Sequence, residues 1–127
     1  MDKNLAQFVN QSYLNLETLR KSGDVVKTPV WFVQDSDVFY VRTVNTAGKA
    51  KRIRNNGQVN IMPCGQAGEP LGEWIPAQAS EATDQATAAL MRKLLVDKYS
   101  LDMVTMFEAR TKANGQEYTV LRINPGA

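Results

Sequence analysis

Two runs rich in β-branched and aromatic residues, Val25 to Gln34 and Val38 to Thr43, are separated by only Asp35-Ser36-Asp37. Three residues cannot carry a crossover, so strands joined this way lie side by side and antiparallel. A further run, Tyr13 to Leu19, comes before them and stops at the turn Ser22-Gly23-Asp24. The expectation is an antiparallel meander of three strands. Pro29, inside the second run, has no N–H to give to a ladder, which puts that strand at an edge there.

The rest of the chain mixes strands with helices. Leu5, Phe8 and Val9 have the spacing of a short opening helix. After the small polar connection Asn45-Thr46-Ala47-Gly48, Lys49 to Asn55 reads as about two helical turns, with Gly57 as a left-handed cap. Strands are expected over Gln58 to Cys64, Leu71 to Glu81 and Glu117 to Ile123, the last one following an Asn114-Gly115 turn. Ala82-Thr83-Asp84 opens a helix to about Tyr99 with Ala88, Met91, Leu94 and Leu95 as its apolar stripe, and Leu101 to Arg110 forms a second. Six strands with two or three flanking helices, never in strict βαβ alternation, predict a single α+β domain over 1–127, built on an antiparallel barrel.

The totals narrow the function. No stretch approaches the roughly 20 apolar residues of a membrane span, and no apolar run follows the charges at Met1-Asp2-Lys3. The single cysteine, Cys64, has no partner for an internal disulfide. A cytoplasmic protein with no membrane partner is expected. The chain has no histidine, which removes the common nucleophilic triads and the commonest ligands of zinc and iron. No metal site and no catalytic side chain are assigned, and Cys64 reads as a small buried hydrophobe.

The formal charge of +2 conceals a polarised chain. Val38 to Gly68 contains no acidic residue, while Arg42, Lys49, Lys51, Arg52 and Arg54 lie within it; the other ten basic residues face thirteen acidic ones, a balance of −3. Such a segment attracts anions. Thr43 closes a strand, Gly48 permits close backbone approach, and Lys49 falls at a helix start, where free amides and the positive dipole end favour a phosphate. A solvated surface helix is the plain alternative. Nucleic acid is not the expected partner, because aromatic residues are missing from the segment and the domain is not strongly basic. Trp31, Phe32 and Trp74 read as core aromatics, or as flanks for a planar ring at a barrel mouth.

Four strings occur in a telling order: Thr28-Pro29-Val30-Trp31-Phe32, Tyr40-Val41-Arg42-Thr43, Gly48-Lys49-Ala50-Lys51-Arg52-Ile53-Arg54-Asn55-Asn56, and Pro63-Cys64. In this the chain resembles, from about Leu16 to Ile123, the pyridoxamine 5′-phosphate oxidase-like split β-barrel family, and within it the branch dependent on the deazaflavin coenzyme F420. The resemblance implies a six-stranded split barrel that forms a homodimer, with two cofactor sites across the interface. It implies that Thr43, Gly48, Lys49, Lys51 and Arg52, with Arg42 beside them, hold the phosphate of coenzyme F420 or FMN. Pro29, Val30 and Trp31 would lie beside the ring, and Trp74 would approach from the partner chain.

The chain departs from true pyridoxamine phosphate oxidases. It lacks their arginine in the strand corresponding to Thr28–Phe32 and their histidine- and arginine-bearing motif near the C-terminus, and it ends at Ala127. Pyridoxal phosphate synthesis is therefore not expected. Ala47-Gly48-Lys49 also lacks the arginine of the parent phosphate motif, which favours the deazaflavin over FMN. The expected function is an oxidoreductase transferring hydride to or from a small organic substrate. The alternative is a non-catalytic cofactor carrier or stress-related flavin-binding protein.

Overall fold

The computed structural model describes residues 3–125, so Met1, Asp2 and Ala127, used above, lie outside the described residues. A 3-10 helix (Lys3–Phe8) leads into β1 (Tyr13–Leu19), β2 (Val25–Trp31), β3 (Val33–Asp35) and β4 (Val38–Val44). Next come α1 (Gly48–Asn55), β5 (Gln58–Cys64), β6 (Ile75–Ala82), α2 (Gln85–Tyr99), α3 (Leu101–Ala113) and β7 (Tyr118–Asn124). Among the described residues no helix is long and apolar enough to cross a membrane.

One antiparallel sheet has the order β2-β1-β5-β6-β7-β4-β3. Its two edge strands are chain neighbours, separated by Phe32 alone. Edges joined by a single residue force the sheet to curl until they meet, which makes the half-closed barrel. The single strand expected over Val25–Gln34 is thus two strands, so there are seven among the described residues rather than six. The alternation of side chains is continuous through the run, but the pairing partner changes: Trp31 ends the ladder with β1 opposite Tyr13, and Val33 begins the ladder with β4 opposite Tyr40. The expected meander is therefore interrupted, since β2 does not pair with β4.

The curl divides the apolar residues into two cores. Leu14, Leu16, Phe32, Phe39, Val41, Ile61, Leu121 and Ile123 fill the barrel, joined by Ala50 and Ile53 of α1. Phe8 plugs it, edge-on to Phe39 at 4.8 Å and to Phe32 at 5.9 Å between ring centres. On the outer face Val33, Tyr40, Ala82 and Val120 pack against Met91 and Leu95 of α2 and Val104 of α3. The buried stripe of α2 is Thr87, Met91 and Leu95, and Ala88 is exposed. Asp84 caps that helix, accepting from the Thr87 N–H at 2.9 Å.

Two local expectations change. Gly57 is not left-handed. It sits where the backbone of β6 passes, accepting from the Ala79 N–H at 2.7 Å, and a Cβ there would strike the Ala79 carbonyl. The strand expected from Leu71 begins only at Ile75, after a bridge between Cys64 and Pro70.

Candidate functional site

Two strand edges face each other at the mouth of the barrel. Among the described residues β2 pairs only with β1, and β4 pairs with β3 only from Val38 to Tyr40. Val41 to Val44 therefore have no strand neighbour on the side facing β2. The edges diverge from Phe32, and a cleft of about 400 Å³ opens between them. That volume is in the range of small-molecule sites, and edge strands bring main-chain donors and acceptors to its walls.

Pro29, Val30 and Trp31 form the β2 wall, and Arg42 and Thr43 come from β4. Lys49, in the first turn of α1, closes the polar end. Leu95 of α2 and Met103 and Phe107 of α3 form the opposite, apolar wall. Tyr13, Gln66 and Tyr118 complete the lining. The aromatic groups are ordered by one another: Trp31 lies edge-on to Phe107 at 5.0 Å and stacks on Tyr99 at 4.1 Å with 10° between the rings.

The two cations of the cleft differ sharply. Arg42 donates to Glu108 at 2.9 Å and lies over the Tyr118 ring at 4.2 Å. Arg92 holds the same carboxylate with two bonds of 3.0 Å, and these hydrogen bonds keep Glu108 below the usual carboxylate range. Tyr118 is fixed as well, accepting from the Thr111 hydroxyl at 2.8 Å and donating to the Phe107 carbonyl at 3.0 Å. Lys49, by contrast, has no acidic partner and no side-chain hydrogen bond among the described residues. Burial, and then the positive charge of Arg52, push its pKa down.

Helix α1 adds to this positive end. Its N-cap is Ala47, which makes no side-chain cap, and its first turn has no acidic residue. The first amides of a helix have no intrahelical acceptors and carry the positive end of the dipole. The Arg52 guanidinium lies against Gly48, with Nη1 2.6 Å from where a Cβ would stand. Gly48 thus makes room for an arginine of its own helix. Arg52 is held there by Nε donating to the Thr18 hydroxyl at 2.6 Å, and burial and Arg20 both lower its pKa.

Of the expected residues, Pro29, Val30, Trp31, Arg42, Thr43 and Lys49 share the cleft. Gly48, Lys51, Arg52 and Trp74 do not line it. Lys51 and Arg52 border a shallow hollow with Leu19, Lys21 and Asn55. Trp74 lies in the β5–β6 connection, partly exposed, with the Lys27 ammonium 5.6 Å from its ring centre. Sequence reasoning missed the apolar wall. Met103 and Phe107 are four residues apart on one helix face, a detectable signal, whereas Leu95 looks like any core leucine and Gln66 carries no signal at all.

No family model matches this sequence, and no curated protein matches it. Many solved structures share its fold. The heme storage protein HutZ from Vibrio cholerae superposes with a TM-score of 0.71 at 17% identity, covering 96% of this chain and 87% of that one. A protein described as a putative pyridoxamine 5′-phosphate oxidase from Listeria innocua gives 0.68 at 16% identity, over 99% of this chain and 93% of that one. A structure described as an F420 reductase gives 0.62 at 17% identity, covering 100% of this chain and 96% of that one. The chain therefore has the split-barrel fold found in pyridoxamine 5′-phosphate oxidase-like proteins and in an F420 reductase.

Proposed function

We propose that this protein binds a phosphate-bearing flavin-type cofactor, coenzyme F420 or FMN, in the cleft between β2 and β4, and serves hydride transfer to or from a small organic substrate. The observation that carries this reading is Lys49: a half-buried cation without a counter-ion among the described residues, at an uncapped helix start, at one end of a slot lined by aromatic rings. An isolated charge taken out of water is costly, and an anion at this point would offset that cost. In this reading Lys49, the α1 amides and Thr43 hold the phosphate. Free backbone groups of β2 meet the polar edge of the ring, and Trp31 and Phe107 set its plane.

The cofactor supplies the hydride chemistry, and the protein contributes binding, orientation and exclusion of water. The fold neighbour that stores heme raises a second ligand class. It has less support here, because the chain has no histidine, the commonest metal ligand.

Two chains are proposed to pair as a homodimer. Leu101, Met103 and Met106 of α3 are exposed, in part, beside the cleft, an apolar face that a second copy would cover. Catalysis is separated from carriage by one assay. Protein loaded with reduced cofactor is mixed with a panel of quinones, enones and nitro compounds, and cofactor reoxidation is followed by absorbance. An oxidoreductase accelerates reoxidation over free cofactor for at least one acceptor; no acceleration across the panel would leave a carrier.

A further inference from the structure

The residue where the barrel splits is held open by a side chain from another element. Phe32 stands between the two ladders, so its N–H and C=O have no strand partner among the described residues. Tyr99, the last residue of α2, brings its hydroxyl into that gap. The Phe32 N–H donates to the Tyr99 oxygen at 3.1 Å, and the hydroxyl lies 2.6 Å from the Ser12 carbonyl and 2.9 Å from the Phe32 carbonyl. A phenol has one proton, and the shorter distance gives it to Ser12. Lys98 then supplies the Phe32 carbonyl, its Nζ donating at 2.8 Å while lying 3.5 Å from the centre of the Phe32 ring.

The same tyrosine reaches the cleft by its ring. Trp31 lines the cleft, and the Tyr99 ring covers its other side at 4.1 Å, nearly parallel. One side chain thus fixes both the point where β2 and β4 diverge and the plane of the indole that faces the cleft. Burial pushes the Tyr99 phenol well up, so it keeps its proton throughout the physiological range. Nothing in the run Val25–Gln34 itself breaks the strand, since its alternation passes unbroken through Phe32.

We propose that Tyr99, supported by Lys98, is a positioning residue that wedges β2 and β3 apart at Phe32 and orients Trp31 toward a ring bound in the cleft. The cofactor part of this inference rests on the flavin-type reading above, whereas the wedge itself does not. The decisive variant is Tyr99→Phe, which keeps the ring stack and removes the hydroxyl. It is made alongside Lys98→Met, in a Trp74→Phe background so that Trp31 alone emits.

The first readout needs no cofactor. Tyr99→Phe is expected to fold, as judged by circular dichroism, to speed amide exchange at Phe32 by at least tenfold, and to shift or quench Trp31 emission. The second readout compares ligands. FMN and F420 affinity is expected to fall about tenfold, while inorganic phosphate, followed by amide shifts at Gly48 and Lys49, binds as in the parent protein. Unchanged exchange at Phe32 together with unchanged Trp31 emission would overturn the wedge. Equal losses for phosphate and for ring-bearing cofactors would overturn its positioning role. If the parent protein bound neither cofactor while the exchange and emission changed as expected, the flavin-type reading would fall and the wedge would stand.

Discussion

Replacing Lys49 with methionine separates a binding role from a structural one, because the two predict opposite signs for stability. Methionine keeps the length and apolar stem of the side chain and has nearly the same helix propensity, so the change removes little but the charge. In the free protein that charge is a liability. It is partly desolvated, has no acidic partner among the described residues, and stands one turn from Arg52 on the same helix. A like-charge pair at this spacing costs about 0.2–0.5 kcal/mol. Lys49→Met should therefore leave the unfolding midpoint unchanged or raise it by about 2 °C. Cofactor binding should move the other way. A charge-assisted hydrogen bond is worth about 1.5–3 kcal/mol, so the dissociation constant for FMN or F420 should rise by at least about tenfold. Thermal unfolding and a fluorescence titration on one preparation read both quantities. A destabilised variant, or one that binds as well as the parent, would refute the assignment of Lys49 as an anion holder.

Two other expectations follow from the geometry. Hydrogen bonds from Arg54 and then Thr119 hold the Glu81 carboxyl down to about 2, so its contribution to stability is present above the ordinary glutamate range and is lost as the pH falls from about 4.5 toward 2. Glu81→Gln should thus be less stable than the parent in urea at pH 7, with the gap closing in that acid window; a gap that persists at pH 2 would remove the ion pair as its cause. For the proposed homodimer, sedimentation should give twice the chain mass, and Met106→Glu on the exposed face of α3 should shift it toward monomer; a parent protein sedimenting as a monomer at micromolar concentration would contradict the pairing.

Elements whose residues and partners agree locally could be read directly from the sequence. Tyr13–Leu19 and Gln58–Cys64 have strand composition between clear turn signals, and their bounds match β1 and β5. The Asp84 cap announces α2 in the same way. Features set by tertiary partners were not visible. The run Val25–Gln34 reads as one strand because its side-chain alternation is unbroken, and only the exchange of β1 for β4, enforced at Phe32 by a tyrosine 67 residues away, divides it. Gly57 looks like a cap, yet what its lack of a side chain serves is the passage of β6. The polar half of the cleft lies within the acid-free segment and could be anticipated from it. The apolar half could not, since Leu95, Met103 and Phe107 come from helices whose apolar residues also serve an ordinary core. Lys51 and Arg52 belong to the same charge cluster as Lys49, but the turn of α1 directs them to the other side of the helix start.

In the proposed complex the cleft between β2 and β4 takes a phosphate-bearing redox ring, with Lys49 at its anionic end. Titration of the purified protein with coenzyme F420 and, separately, with FMN, followed by the absorbance and fluorescence of the ring, tests it most directly. At least one of them should bind saturably, one per chain, with a perturbed ring spectrum and an affinity at least about tenfold weaker in Lys49→Met. Failure of both cofactors to bind or to change their spectra would contradict it.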